Sequence, residues 1–122
     1  VLVELTDRSA LAACQPDTGA IREAADRYPA GIDFSIYAYV PEGDTIHARM
    51  FAPLDEIPED PATGSAAATL AVLLAQLTGK PQNIRIIQGE QMGRRSVIQA
   101  DSDGETCIIS GQARRVMMGR LV

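Results

Sequence analysis

The run Gly64-Ser65-Ala66-Ala67-Ala68-Thr69-Leu70-Ala71-Val72-Leu73-Leu74-Ala75-Gln76-Leu77 (GSAAATLAVLLAQL) decides the fold. Good helix formers fill it, Gly79 ends it, and Pro81 follows. A surface helix carries a polar face. This one is apolar on almost every side after Ser65, so it is expected to be surrounded by protein. Its small residues at 66–68 suit close approach to a sheet.

Strands are expected on both sides of that helix. Upstream, residues 1–5 are β-rich, and residues 32–40 (IDFSIYAYV) alternate, with Ile32, Phe34, Ile36, Ala38 and Val40 on one face. Pro41-Glu42-Gly43-Asp44 reads as a turn, and residues 45–51 (TIHARMF) alternate again, which predicts a hairpin with a longer loop. Helices are predicted over 9–14 and 18–28, the second with Thr18 as N-cap, ended by Pro29-Ala30-Gly31. Residues 53–61 form a proline-punctuated acidic loop. Downstream, 83–88, 95–100, 105–110 and 112–118 read as strands, with a tight turn at Ser102-Asp103-Gly104. The economical solution is an α+β fold, a curved and mostly antiparallel sheet, an open barrel, wrapped around one central hydrophobic helix.

The length of 122 residues suits a single domain over 1–122 that can bury its own core. With 46% hydrophobic and 22% charged residues, it has a globular composition. Aromatics make up 4% and Trp is absent, which argues against stacking on single-stranded nucleic acid. Residues 1–63 carry twelve acidic and four basic residues, while 64–122 carry four and seven, so net charges of −8 and +3 sum to the overall −5. The second half is the better host for an anionic ligand or an acidic partner surface, although ordinary surface scatter also produces such a split. Arg94-Arg95 and Arg114-Arg115 lie on expected strands, where neighbours point to opposite faces, so neither pair makes a nucleic-acid patch.

Cys14 and Cys107 are the only cysteines, and His47 is the only histidine. No metal-ligand spacing or disulfide framework follows, and two isolated thiols fit a reducing cytoplasm. No secretory leader or membrane-spanning run is expected. The first residue is Val1, not Met, which points to sequence upstream.

The chemical interest lies at the mouth of the helix, in Glu59-Asp60-Pro61-Ala62-Thr63-Gly64-Ser65. A helix N-terminus offers unpaired N–H groups and partial positive charge, a ready site for a carboxylate. Gly64 leaves room for a ligand, and Thr63 and Ser65 supply hydroxyls. Pro61 restricts Asp60 to extended backbone and so aims its side chain. A held carboxylate beside an anion site suits general acid–base work. Simple helix capping by Asp60 or Thr63 explains the same residues equally well. Arg49 is a candidate for a substrate carboxylate or for a salt bridge to the acidic loop. Gln88 and Gly89 either line the cleft or close a turn. His47 reads as a hydrogen-bonded strand residue.

Arg49-Met50-Phe51-Ala52-Pro53 followed by Glu59-Asp60-Pro61-Ala62-Thr63-Gly64-Ser65-Ala66 resembles the signature of the PhzF-like (phenazine-biosynthesis-like) isomerase family. Gln88-Gly89-Glu90-Gln91-Met92-Gly93-Arg94 resembles its second segment, and Ser110-Gly111-Gln112-Ala113 with Gly119-Arg120-Leu121 its closing strand. The resemblance implies a diaminopimelate-epimerase-like fold of two similar domains, of which this chain matches the C-terminal one. It implies cofactor-free proton transfer, without a metal, on a small carboxylate-bearing metabolite at a cleft between the domains. Asp60 and Ser65 would be this domain's catalytic contribution, and Thr63, Gly64, Arg49, Gln88 and Gly89 would meet substrate. The main acid/base, a glutamate, would come from the N-terminal domain, and nothing in these residues replaces it. Arg95 stands where the family has proline and Gln112 where it often has a second glycine. Neither cysteine lies in the motif, which argues against two-thiol chemistry. The rival expectation is an inactive binding or assembly module that pairs with a second copy or with an N-terminal domain.

Overall fold

The computed structural model describes residues 1–28 and 34–121. The expected break at Pro29-Ala30-Gly31 and the first two residues of the expected 32–40 strand lie outside the described residues. In chain order the elements are β1 (Leu2–Glu4), α1 (Arg8–Ala13), α2 (Thr18–Arg27), β2 (Ile36–Glu42), β3 (Thr45–Ala52), a 3-10 turn (Pro53–Asp55), β4 (Ile57–Asp60), α3 (Gly64–Thr78), β5 (Gln82–Gln88), β6 (Ser96–Ser102) and β7 (Cys107–Gly111).

The strands form one sheet in the order β1-β2-β3-β5-β6-β7, with β4 also pairing along β3. β1 runs parallel to β2 and β3 to β5, and the other pairs are antiparallel. The fold is therefore α+β, an open and unclosed sheet with α3 as its central helix. Parallel neighbours need a crossover. Between β3 and β5 that crossover is β4 plus α3, and it carries the mouth of α3 to the C-terminal end of β5.

Two apolar layers hold the sheet. On one face Ala67, Leu70 and Ala71 of α3 pack with Tyr37, Tyr39, Ile46, Ala48, Ile84, Ile86, Ile98 and Ala100. Ala67, Ala71 and Ala100 have no exposed surface, so the small side chains do bring helix and sheet together. Leu70 is equally buried, and Leu70→Ala would cost about 2–5 kcal/mol. On the other face Leu11 of α1 packs with Ala38, Val40 and Phe51.

Several expectations are corrected. β2 has Ala38 and Val40 on one face as expected, turned to α1, but its other face is buried too, with Tyr37 and Tyr39 turned to α3. The tyrosines are admitted because each hydroxyl has a partner, Gln88 Oε1 at 3.1 Å and Glu4 Oε2 at 3.0 Å. The β2–β3 loop is short, since Glu42 pairs with Thr45 and Gly43 supplies the positive φ of 60° that such a turn needs. The N-cap of α2 is Asp17, not Thr18, and its carboxylate accepts from Ala20 N. Part of the acidic loop becomes β4, because its backbone completes hydrogen bonds left open along β3. Residues 112–118 form no strand; Val116, Met117 and Met118 are each more than 80% exposed. With the sheet unclosed, α3 is covered along the stripe Ala67, Leu70, Ala71 and Ala75, while Leu77 is 73% exposed.

Candidate functional site

Asp60 ends β4, paired with Met50 of β3. Thr63 holds the N-cap position of α3 with extended backbone, φ −114° and ψ 91°, yet its side chain makes no cap bond. Its hydroxyl instead donates to Asp60 Oδ2 at 2.6 Å, and Ala62 N–H donates to Asp60 Oδ1 at 3.3 Å. The contrast with α1 and α2 is instructive. There Asp7 and Asp17 take up the open N–H groups of Ala10 and Ala20. At α3 the carboxylate and hydroxyl are bonded to each other, and the first N–H groups of the helix are left to other partners. A Cβ at Gly64 would meet Ile109 Cγ2 at an ordinary 3.6 Å, so no protein contact demands glycine there.

Gln88 binds this segment from β5. It has no exposed surface. Its Nε2 donates to the Asp60 carbonyl at 2.7 Å and to Thr63 Oγ1 at 2.9 Å. Its Oε1 accepts from Thr63 N–H at 3.3 Å and from the Tyr37 hydroxyl at 3.1 Å. Burial, and then the nearby Asp60 charge, push the Tyr37 phenol well above its ordinary range, so it stays a protonated donor. Gly89 comes next, at φ 80°. A Cβ there would lie 2.5 Å from Arg94 O and 3.0 Å from Pro61 O, so only glycine lets the β5 loop close on the Asp60–Pro61 turn.

Ser65 is exposed at the mouth of α3 and lines a cleft of about 350 Å³ with Val1, Leu2, Ser35, Tyr37, Met50, Ala66 and Thr69. A roomier hollow of about 500 Å³, bordered by Arg85, Arg95, Val97 and Gln99, lies along β5 and β6, and an adjoining one of about 390 Å³ runs from Arg95 and Val97 to Ala62. The polar groups converge at Asp60, Thr63 and Gln88, and the Ser65 cleft is joined to them through Tyr37, which lines it and donates to Gln88.

The expected grouping is thus brought together for Asp60, Thr63, Gly64, Ser65, Gln88 and Gly89, but not for Arg49. Alternation along β3 turns Met50 to the α3 face and Arg49 to the α1 face. Its guanidinium grips both oxygens of Glu59 at 2.9 Å. It also donates to the carbonyls of Leu11, Ala12 and Cys14, closing the C-terminal end of α1, and stands 4.7 Å from the Phe51 ring centroid. Glu90 was not singled out from sequence. It accepts from Arg8 at 2.8 Å, lies 2.9 Å from His47 Nδ1, and has Arg95 at 3.9 Å. Burial pushes its carboxyl upward, but the His47 hydrogen bond and the charges of Arg8, His47 and Arg95 outweigh this and hold it below the usual range. Its partners lie 82 and 43 residues away, so no local pattern announces them. Cys14 and Cys107 are free thiols outside the site. Among the described residues no cluster of three His, Cys, Asp or Glu residues is placed to hold a metal ion. No described helix is long and apolar enough to cross a membrane.

Comparison with known proteins adds the decisive observation: the family profile described as "Phenazine biosynthesis-like protein" matches residues 1–119. The chain belongs to that family. Over 107 residues it is 39% identical to a protein of Deinococcus radiodurans named "Uncharacterized isomerase", covering 83% of this chain and 34% of that one. Over 106 residues it is 37% identical to the trans-2,3-dihydro-3-hydroxyanthranilate isomerase of Pseudomonas aeruginosa, covering 85% and 36%. The chain thus spans about a third of the length of these curated relatives, and the family includes isomerases. Among solved structures, a Bacillus anthracis phenazine biosynthesis protein of the PhzF family superposes with a TM-score of 0.66 at 16% identity, covering 88% of this chain and 40% of that one. That likeness speaks for the shared fold.

Proposed function

We propose that this chain is one domain, the C-terminal half of a two-domain isomerase, and that it supplies one wall of a cofactor-independent proton-transfer site. The substrate is a small carboxylate-bearing metabolite. Asp60 is the acid/base of this wall, while Ser65 and the open N–H groups of α3 receive the substrate carboxylate. Thr63 and Gly64 border that group, and Gly89 holds the Asp60–Pro61 turn. The opposite wall carries the principal acid/base, a glutamate by family resemblance. The free thiols Cys14 and Cys107 accord with a reducing compartment such as the cytoplasm.

The observation that carries this reading is the pairing of Asp60 with Thr63 in place of a helix cap. A carboxylate spent on capping would be a structural group. One held by a hydroxyl beside an uncapped helix end is available for chemistry. The test joins this chain with an N-terminal family half in one polypeptide. Small carboxylates, with trans-2,3-dihydro-3-hydroxyanthranilate as the first probe, are incubated with it in deuterated water. Deuterium incorporation or double-bond movement is expected, and Asp60→Asn is expected to depress it strongly. Turnover that survives this substitution in full removes Asp60 from the mechanism.

A second reading has its own support in the exposed apolar residues Leu77, Ile108, Val116 and Met117. In it the chain is a binding module that pairs with a second copy through such exposed apolar side chains. Light scattering at micromolar concentration separates the two: a strict monomer counts against self-pairing.

A further inference from the structure

We propose that Gln88 is a positioning residue for Asp60, acting through Thr63 so that Oδ1 is the carboxylate oxygen left to exchange a proton. The catalytic meaning rests on the proposed role of Asp60; the arrangement itself does not.

The direction of each hydrogen bond follows from two backbone groups. The Asp60 carbonyl can only accept, so the Gln88 atom 2.7 Å from it is the NH₂ group. The Thr63 N–H can only donate, so the Gln88 atom 3.3 Å from it is the oxygen. The amide orientation is thereby determined at both ends. Gln88 Nε2 has no acceptor capacity, so Thr63 Oγ1 accepts from it at 2.9 Å. The single proton of the Thr63 hydroxyl is then directed to Asp60 Oδ2 at 2.6 Å. At the far end Tyr37 donates to Gln88 Oε1, which holds the amide against rotation. The run Tyr37–Gln88–Thr63–Asp60 is one polarised chain that ends on a carboxylate.

A proton on Oδ2 would weaken that oxygen as an acceptor and so cost the short 2.6 Å bond from Thr63, whose hydroxyl is oriented toward Asp60 by the Gln88 Nε2–H it accepts. Oδ1 carries the longer 3.3 Å bond from Ala62 N–H. That bond yields more readily, so a proton taken from substrate is received on Oδ1 and returned from it.

The experiment needs no substrate and uses this chain alone. The Thr63 hydroxyl proton is followed by NMR in labelled protein, with Thr63→Val as the assignment control. The wild type is expected to show a slowly exchanging, downfield hydroxyl proton with a through-space cross-peak to Asp60. Gln88→Met should speed its exchange on the order of tenfold, the worth of one lost orienting hydrogen bond, while α3 amides change less. An unchanged exchange rate in folded Gln88→Met overturns the proposal. So does a uniform acceleration of hydroxyl and amides, which would mark mere loosening. If Gln88→Met does not fold, Tyr37→Phe decides: faster hydroxyl exchange supports the relay and an unchanged rate overturns it. Because turnover is not read, failure here leaves the isomerase reading standing, and failure of that reading leaves this result intact.

Discussion

Arg49 and Glu59 are joined by two parallel N–H···O bonds of 2.9 Å each, with side chains 9% and 15% exposed. The remaining Arg49 donors close the end of α1. Removing one partner leaves the other buried and unpaired, so Arg49→Met is expected to destabilise the fold by about 3–5 kcal/mol. Arg49→Lys recovers little of this, because an ammonium lacks the planar fork. Urea denaturation checks both. A loss under about 1 kcal/mol would show that the pair is solvated in solution.

Gly89 and Gly43 both have positive φ, 80° and 60°, but different surroundings. A Cβ at 43 has nothing within 4 Å, so Gly43→Ala carries the left-handed penalty alone, about 1–2 kcal/mol. A Cβ at 89 would also strike Arg94 O and Pro61 O. Gly89→Ala is therefore expected to cost clearly more and to shift the backbone amide signals of residues 60–63, whereas Gly43→Ala leaves those signals in place. Equal losses for the two variants would count against the close approach.

The Glu90 carboxyl is held below its ordinary 4.5 in the folded state, once the His47 hydrogen bond and the charges of Arg8, His47 and Arg95 outweigh burial. A depressed folded value contributes stability that is full above the unfolded value and is lost as pH falls through the folded one. Glu90→Gln is accordingly expected to lower stability at neutral pH, with the gap to wild type closing as pH drops below about 4. Thermal melts across pH 3 to 8, compared at each pH, test this sign.

Asp60→Asn in the two-domain protein is expected to depress turnover by about a hundredfold to ten-thousandfold, the usual worth of a general acid or base, while the melting temperature stays close to wild type. Thr63→Ser keeps the hydroxyl and should keep most of the activity; Thr63→Val should lose it. Steady-state kinetics on the three variants separate an effect on kcat from one on KM.

Val116, Met117 and Met118 are exposed and belong to no strand in this chain. Val116→Ser should therefore leave the denaturation midpoint unchanged, within about 0.5 kcal/mol. A larger loss would mean that residues 112–118 pack in solution.

The helix, its glycine stop, the β2–β3 pairing and the two following strands were legible because each rests on local chemistry: side-chain periodicity and the conformational freedom of Gly79. The motif at 59–65 was legible as a site. What sequence left open was whether Asp60 and Thr63 cap α3, since a cap and a ligand site use the same residue types. The answer depends on Gln88, which lies 25 residues beyond Thr63 and orients its hydroxyl. Sequence left Arg49 open between a substrate carboxylate and a salt bridge to the acidic loop, because alternation fixes relative, not absolute, orientation; the structure has the salt bridge, to Glu59. The apolar pattern of β2 marked the Ala38 and Val40 face but not the second buried one. A strand covered on both sides has no polar face to mark its outside, and its tyrosines pass as polar until their hydroxyls find Gln88 and Glu4. Residues 112–118 carry strand chemistry, but no described strand lies alongside them.

A Cβ on Gly89 would lie 2.5 Å from Arg94 O and 3.0 Å from Pro61 O, so the meeting of the β5 loop with Pro61 leaves no room for even one methyl group. Two stretches of chain separated by a whole helix therefore behave as a single casting. Neither can gain or lose a residue, or swap its ring or its bare α-carbon, without the other being recut to match. In a lineage the segments around 61 and 89 would be handed down together, while the helix between them is freer to vary along its uncovered side.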